Sequence, residues 1–196
     1  MTASQTITLW NSAGLRASAF STPAKFNFFD SQFPNAKFSI AAFVETHHKD
    51  AFDYTQDFGQ YKQTHEILHS PVYNETHSGV IILISKEYKI TSQNDIIPGR
   101  LYNVRLIKND RALNLSVFYG PQWGKMNKEE ISAVIEKFAP LHEHHENNII
   151  LGDFNFVDYD IDKGKKMSSK DQMIKPLWDN FLSEKSILDP FRHGTH

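Results

Sequence analysis

Asn148-Ile149-Ile150-Leu151-Gly152-Asp153-Phe154-Asn155 is an apolar run that ends abruptly in polar residues. Asn148–Leu151 reads as a buried strand, and polar groups that follow buried strands gather at one rim of a sheet. Two other strands end the same way. Thr6–Trp10 leads into Asn11, and Ile40-Ala41-Ala42-Phe43-Val44 leads into Glu45-Thr46. A rim with two carboxylates and two amides suits a hard cation. Asp153 and Asn155 are two apart, so their side chains point the same way in extended chain. Gly152 permits a sharp turn or a close approach of backbone to a ligand. Phosphodiester hydrolysis needs this equipment: a metal to offset phosphate charge, a group to orient water, and donors for the transition state. A plainer reading stays open beside it. Asp-X-Asn after a strand also makes a turn bonded to local backbone, Glu45 alone is a solvated strand end, and Asn11 alone is a helix cap.

Outward from these runs, the strands expected are Thr6–Trp10, Phe38–Val44, Gly79–Ser85, Leu101–Ile107, Ala112–Tyr119 and Asn148–Leu151. Leu113, Leu115, Val117 and Tyr119 share one face by the two-residue period. Asn109-Asp110 predicts a tight hairpin turn with Arg111 leaving it. Helices are expected over Gly14–Ser21, Asn127–His145 and Ser169–Glu184, with Pro23 ending or kinking the first. In the second, Ile131, Val134, Ile135 and Phe138 form a buried stripe, and Asn127 caps the start with Glu130 three residues on. No repeat or low-complexity linker divides the chain, so one domain over 1–196 is expected. Hairpin-connected strands with few helices suit an α+β protein of two packed sheets covered by helices.

The totals bound the function. Of 196 residues, 40% are hydrophobic and 13% aromatic, enough to bury a core. Lys and Arg number 21 against 23 Asp and Glu, a balance of −2, so no whole-molecule positive field draws in nucleic acid. The absence of cysteine removes disulfides, thiolate zinc sites and cysteine nucleophiles. The opening Met1-Thr2-Ala3-Ser4-Gln5 lacks the features of a secretory signal, and the run Val80–Ile84 is too short to span a bilayer. The expectation is a nuclear or cytoplasmic protein, not secreted, with no membrane association. The triplets Asn74-Glu75-Thr76 and Asn114-Leu115-Ser116 then read as chance matches to a glycosylation site.

Five motifs in order resemble the endonuclease/exonuclease/phosphatase (DNase I-like) superfamily. They are Trp10-Asn11-Ser12-Ala13-Gly14-Leu15-Arg16, Phe43-Val44-Glu45-Thr46-His47, Ser78-Gly79-Val80-Ile81-Ile82-Leu83-Ile84-Ser85, Val117-Phe118-Tyr119-Gly120-Pro121-Gln122 and Leu151-Gly152-Asp153-Phe154-Asn155. Gly99-Arg100-Leu101, Phe156-Val157-Asp158 with Ile161-Asp162-Lys163, and Leu188-Asp189-Pro190-Phe191-Arg192-His193 resemble endonuclease domains of non-LTR (LINE-type) retrotransposons. The resemblance implies a four-layer α/β/β/α sandwich and a DNA substrate. Glu45 would bind Mg²⁺ (or Mn²⁺) with Asn11 beside it. Asp153 would orient and activate water, Asn155 would contact the phosphate, and Tyr119 would donate its hydroxyl there or shape the site. Ala13 stands where some relatives carry a further Asp. Relatives also continue into a closing Ser-Asp-His-type motif that Phe191-Arg192-His193-Gly194-Thr195-His196 does not match. The sandwich is therefore expected to lack its last strands, with a sheet edge left unpaired.

The resemblance thus implies a Mg²⁺-dependent phosphodiester hydrolase, a DNA endonuclease of retrotransposon type whose nick would prime reverse transcription. Two alternatives share the fold: an inert truncated remnant, and a phosphatase acting on inositol phosphates or phospholipid headgroups. No protein partner is identifiable. His47-His48 and His142-Glu143-His144-His145 tempt a metal reading, but the latter lacks the spacing that puts two imidazoles on one helix face and reads as a solvated helix end. Lys163, Lys165, Lys166 and Lys170 suit either phosphate contacts or a solvated charged loop. Trp123 and Trp178 read as packing residues.

Overall fold

In this computed structural model the described residues are 6–15, 29, 31, 38–48, 58–71, 78–142, 147–156 and 167–188. Among the described residues eight strands form two sheets of four, ordered β1-β2-β4-β3 and β5-β6-β7-β8. They are β1 (Ile7–Asn11), β2 (Ile40–Val44), β3 (His65–Ser70), β4 (Val80–Ser85), β5 (Lys89–Ile97), β6 (Leu101–Lys108), β7 (Arg111–Tyr119) and β8 (Asn147–Asp153). β1 runs parallel to β2, while β4 is antiparallel to both β2 and β3. The β5-β6 and β6-β7 pairs are antiparallel. Asn109 and Asp110 join β6 to β7 with φ of 50° and 58°, the left-handed pair that matches a two-residue hairpin to strand twist.

Strict alternation explains why β2 and β4 are continuous apolar runs. Ile40, Ala42, Val44, Val80, Ile82 and Ile84 face the second sheet, where Tyr102, Val104, Leu106, Leu115, Val117 and Tyr119 meet them. Ala41, Phe43, Ile81 and Leu83 face the other way, against Leu15, Phe29, Phe38, Phe58 and Tyr61. Strands buried on both faces have no polar face to alternate with. The two strands absent from the sequence reading, β3 and β5, are both sheet edges. β5 is exposed over much of its length, so Lys89-Ile90-Thr91-Ser92-Gln93-Asn94 carries little hydrophobic signal. Asn114 is 1% exposed and accepts from Asn103 Nδ2 at 2.8 Å, so the triplet it opens is buried structure.

The chain divides into two compact units, 1–119 with 149–153, and 120–148 with 154–196. The second holds helix α1 (Lys128–Glu136) and helix α2 (Ser169–Glu184). α1 opens with the expected capping box, Asn127 Oδ1 accepting from Glu130 N at 2.9 Å and Asn127 N donating to Glu130 Oε2 at 2.8 Å. It does not reach His145. Pro140 would clash with the carbonyl of Glu136 and has no N–H to give, so the helix stops there and Ala139–His142 form a tighter turn. α2 matches its expected bounds and accommodates Pro176 within it. Trp178 packs against Phe138, Phe154 and Phe181 at centroid distances of 5.5, 5.0 and 5.3 Å. Apart from Gly14 and Leu15, the helix expected over Gly14–Ser21 lies outside the described residues, as does Pro23. So do Asn74, Glu143–His145, Asp158–Lys166 and the segment from Asp189. No described helix is long and apolar enough to cross a membrane.

Buried His65 ties pH to stability in the first unit. It is 3% exposed, its Nε2 donates to the Phe38 carbonyl at 3.2 Å, and its Nδ1 faces the Thr64 hydroxyl at 2.8 Å. Burial holds its pKa below the ordinary 6.5, with the Phe38 carbonyl partly opposing that shift. The unfolded chain therefore takes up this proton first. The contribution of neutral His65 is fully present above pH 6.5 and is lost as pH falls through the lower folded value. Urea midpoints measured between pH 7.5 and 5 should fall less steeply for His65→Gln than for the parent. Equal slopes would remove His65 from the account.

Candidate active site at a strand-end rim

Because β1 and β2 are parallel, they end at the same rim, with Asn11 opposite Val44. The loops leaving them are stitched together. Ser12 N donates to Val44 O at 3.0 Å, Gly14 N to Glu45 O at 2.7 Å and Leu15 N to Thr46 O at 3.1 Å. The Ser12 hydroxyl adds contacts to Val44 O and Glu45 O at 2.9 and 3.1 Å. Asn11 and Glu45 are thereby held on neighbouring strand ends. The Asn11 carboxamide is used at both ends: Oδ1 accepts from Ala13 N at 2.9 Å, and Nδ2 donates to Asp153 Oδ2 at 2.6 Å. This last bond joins the end of β1, an edge of one sheet, to the end of β8, an edge of the other. Asn11, Glu45 and Asp153 are all partly exposed.

The rim is locally strained. Ala13, Glu45 and His47 have φ of 44°, 57° and 59°, a left-handed region that side chains with a Cβ occupy at a cost of about 1–2 kcal/mol each. Thr46 between the last two is fully buried, and its hydroxyl has no hydrogen-bond partner among the described residues. Such costs persist where surroundings over-determine a conformation, and they cluster at functional sites. His47 Nε2 lies 3.6 Å from Glu45 Oε1.

Tyr119 closes β7 and is buried. Its backbone N donates to Arg100 O at 2.7 Å. The Arg100 guanidinium returns over it, 5.3 Å from the ring centroid, and donates to Tyr119 O at 3.3 Å. Asn155 belongs to the second unit, where its Nδ2 donates to Gly120 O at 2.6 Å with φ at 53°. Its amide N–H thus has a fixed protein acceptor. Nearby in that unit, Trp123 Nε1 donates to Phe154 O at 2.6 Å, so Trp123 fixes backbone as well as packing. Lys170 donates to Met126 O at 2.6 Å, which makes it a tether and not part of a loose charged loop. Arg100 and His47 carried no site assignment in the sequence. A lone Arg at a strand start and a His inside a His pair have no spacing rule to betray them.

The donor set fits a hard cation. Two carboxylates and amide or hydroxyl oxygens match the oxygen preference of Mg²⁺, which keeps several waters and is held by one or two carboxylates plus substrate phosphate. Among the described residues no group of three His, Cys, Asp or Glu is gathered for a metal.

The fold is the DNase I-like α/β/β/α sandwich, as in the solved structures it superposes on. The AP endonuclease LMAP from Leishmania major superposes with a TM-score of 0.63 at 13% identity, over 90% of this chain and 65% of that one. The 3′ phosphatase NExo from Neisseria, bound to a product DNA hairpin, gives 0.62 at 16%, over 90% and 71%. TDP2 from C. elegans gives 0.57 at 13%, over 83% of this chain and 50% of that one. In sequence, the chain is 31% identical over 124 residues to the transposon TX1 uncharacterized 149 kDa protein of Xenopus laevis. That match covers 60% of this chain and only 9% of the Xenopus protein. No family model matches the sequence.

Proposed function

We propose that the chain is a divalent-metal-dependent phosphodiester hydrolase acting on DNA, of the retrotransposon endonuclease type. The observation that carries this reading is the 2.6 Å bond from Asn11 to Asp153 across the two sheets, with Glu45 following the strand end that pairs with Asn11. One Asp153 oxygen is anchored by that bond, and the residue is partly exposed. In this reading Asp153 orients the attacking water and takes its proton as the new phosphorus–oxygen bond forms and one sugar oxygen departs. Glu45, with Asn11 beside it, would hold Mg²⁺ or Mn²⁺, which when bound offsets charge on the phosphate. Tyr119 serves the phosphate. The DNA substrate is supported by the AP endonuclease and the DNA-bound phosphatase among the structural neighbours. The retrotransposon assignment is supported by the Xenopus transposon protein.

Supercoiled plasmid gives the test. Nicking by the chain should require Mg²⁺ or Mn²⁺, stop with EDTA and return when the metal is added back in excess. Abasic DNA, intact DNA, inositol phosphates and phospholipid headgroups assayed side by side separate the substrate classes. Turnover of a headgroup or inositol phosphate with no nicking of either DNA would overturn the DNA assignment.

A further inference from the structure

We propose that His47 is a positioning residue that fixes the carboxylate of Glu45 before a cation arrives, an inference that rests on the metal role given to Glu45 above. The geometry is a short loop pinned through four of its backbone groups, Glu45 O, Thr46 N, Thr46 O and His47 N. Thr46 N donates to Gly79 O at 3.2 Å and His47 N to Ser78 O at 2.8 Å. Glu45 O takes the two donors from Gly14 and Ser12. Buried His48 turns its Nδ1 onto Thr46 O at 3.2 Å. Held this way, Glu45 and His47 share the left-handed backbone at φ of 57° and 59°, and their side chains meet with Nε2 and Oε1 3.6 Å apart. They are only 21% and 18% exposed.

A loop needing that backbone for shape alone would favour Gly or Asn at both positions. This chain instead carries two chemically active side chains there, facing each other. The imidazole beside the carboxylate already restricts its rotation, and closing the 3.6 Å gap by about 0.5 Å makes an N–H bond that orients its oxygens, which is how groups behind a metal ligand raise affinity. His47 thus acts on the cation through Glu45 and does not itself touch the substrate.

Mn²⁺ binding to the full chain, read from the electron paramagnetic resonance of the free ion with no DNA present, tests this. His47→Gln keeps an N–H within reach and should bind Mn²⁺ within about 3-fold of the parent. His47→Leu keeps bulk without a donor, and His47→Gly relieves the backbone. Both should bind about 10–100-fold more weakly. Thermal midpoints identify any variant that has not folded, and His47→Gly should melt no lower than His47→Leu. Parental binding by His47→Leu, with binding abolished in Glu45→Gln, would overturn the inference and leave the metal reading intact. If His47→Gln were as weak as His47→Leu, the imidazole would be a direct ligand and the positioning role would fall. Unchanged binding in Glu45→Gln would overturn both.

Discussion

Asp153→Asn should leave the protein folded and slow plasmid nicking by about 10²–10⁴-fold, the range for loss of a positioned general base. The substitution is nearly isosteric, and its consequences separate cleanly. Asp153 Oδ2 accepts from Asn11 Nδ2 at 2.6 Å, and an Asn side-chain oxygen at 153 can accept the same bond. The cross-sheet tie at the rim therefore survives. What disappears is the negative charge and the capacity to take a proton from water. Asn11→Ala makes the converse change, keeping the charge and removing its anchor. It should cost less, on the order of 10–100-fold, because Asp153 then samples unproductive rotamers. Single-turnover nicking rates at saturating Mg²⁺, with thermal midpoints as the folding control, resolve the two. Nicking by Asp153→Asn at the parental rate would sink the assignment of this carboxylate, whatever the metal does.

How much of this was readable beforehand depended on where each residue sits. β2, β4 and β7 were legible because burial forces their composition: Ile40–Val44 and Val80–Ile84 are apolar on both faces, and Leu113, Leu115 and Val117 alternate inward. β3 and β5 were not, because polar and charged residues interrupt them, His65-Glu66 with His69-Ser70 in β3 and Thr91–Asp95 in β5. The helix expected to His145 overran because its apolar stripe continues to Phe138, which is buried but lies past the helix end. Pro140 was the decisive local signal. At the rim, strand-end position marked Asn11, Glu45 and Asp153 as candidates together, and the family resemblance supplied their expected roles. Hydrogen bonding did not follow from it: Asn11 turns its amide to Asp153 and its oxygen to Ala13 N, a division of labour no spacing encodes. Asn155 followed Asp153 by two, yet its amide is engaged with Gly120 in the second unit. His47 and Arg100 depend on backbone conformation and on a neighbouring strand, which are tertiary facts.

Gly152→Ala should be strongly destabilising. Gly152 was expected to admit a ligand or a sharp turn. Instead it admits the neighbouring strand: a Cβ there would stand 2.1 Å from the Phe118 carbonyl oxygen and 2.9 Å from its carbon. The obstacle is β7 backbone, so no side-chain rotation relieves it, and β7 is an interior strand already paired with β6. The two strands must separate by about 1 Å, losing ladder bonds and packing together, a cost of about 3 kcal/mol or more. That is a large part of the roughly 5–15 kcal/mol that stabilises an ordinary domain. Urea midpoints would show it directly, and a parental midpoint would mean that β8 does not lie this close. The functional loss should exceed what the folded fraction explains, because Asp153 is the next residue. A strand pushed off β7 carries that carboxylate with it, and a 2.6 Å bond to Asn11 has no slack to follow. At permissive temperature the variant should therefore be folded and nearly inactive, with Mn²⁺ affinity less affected than nicking, since Glu45 sits on β2's loop in the other sheet.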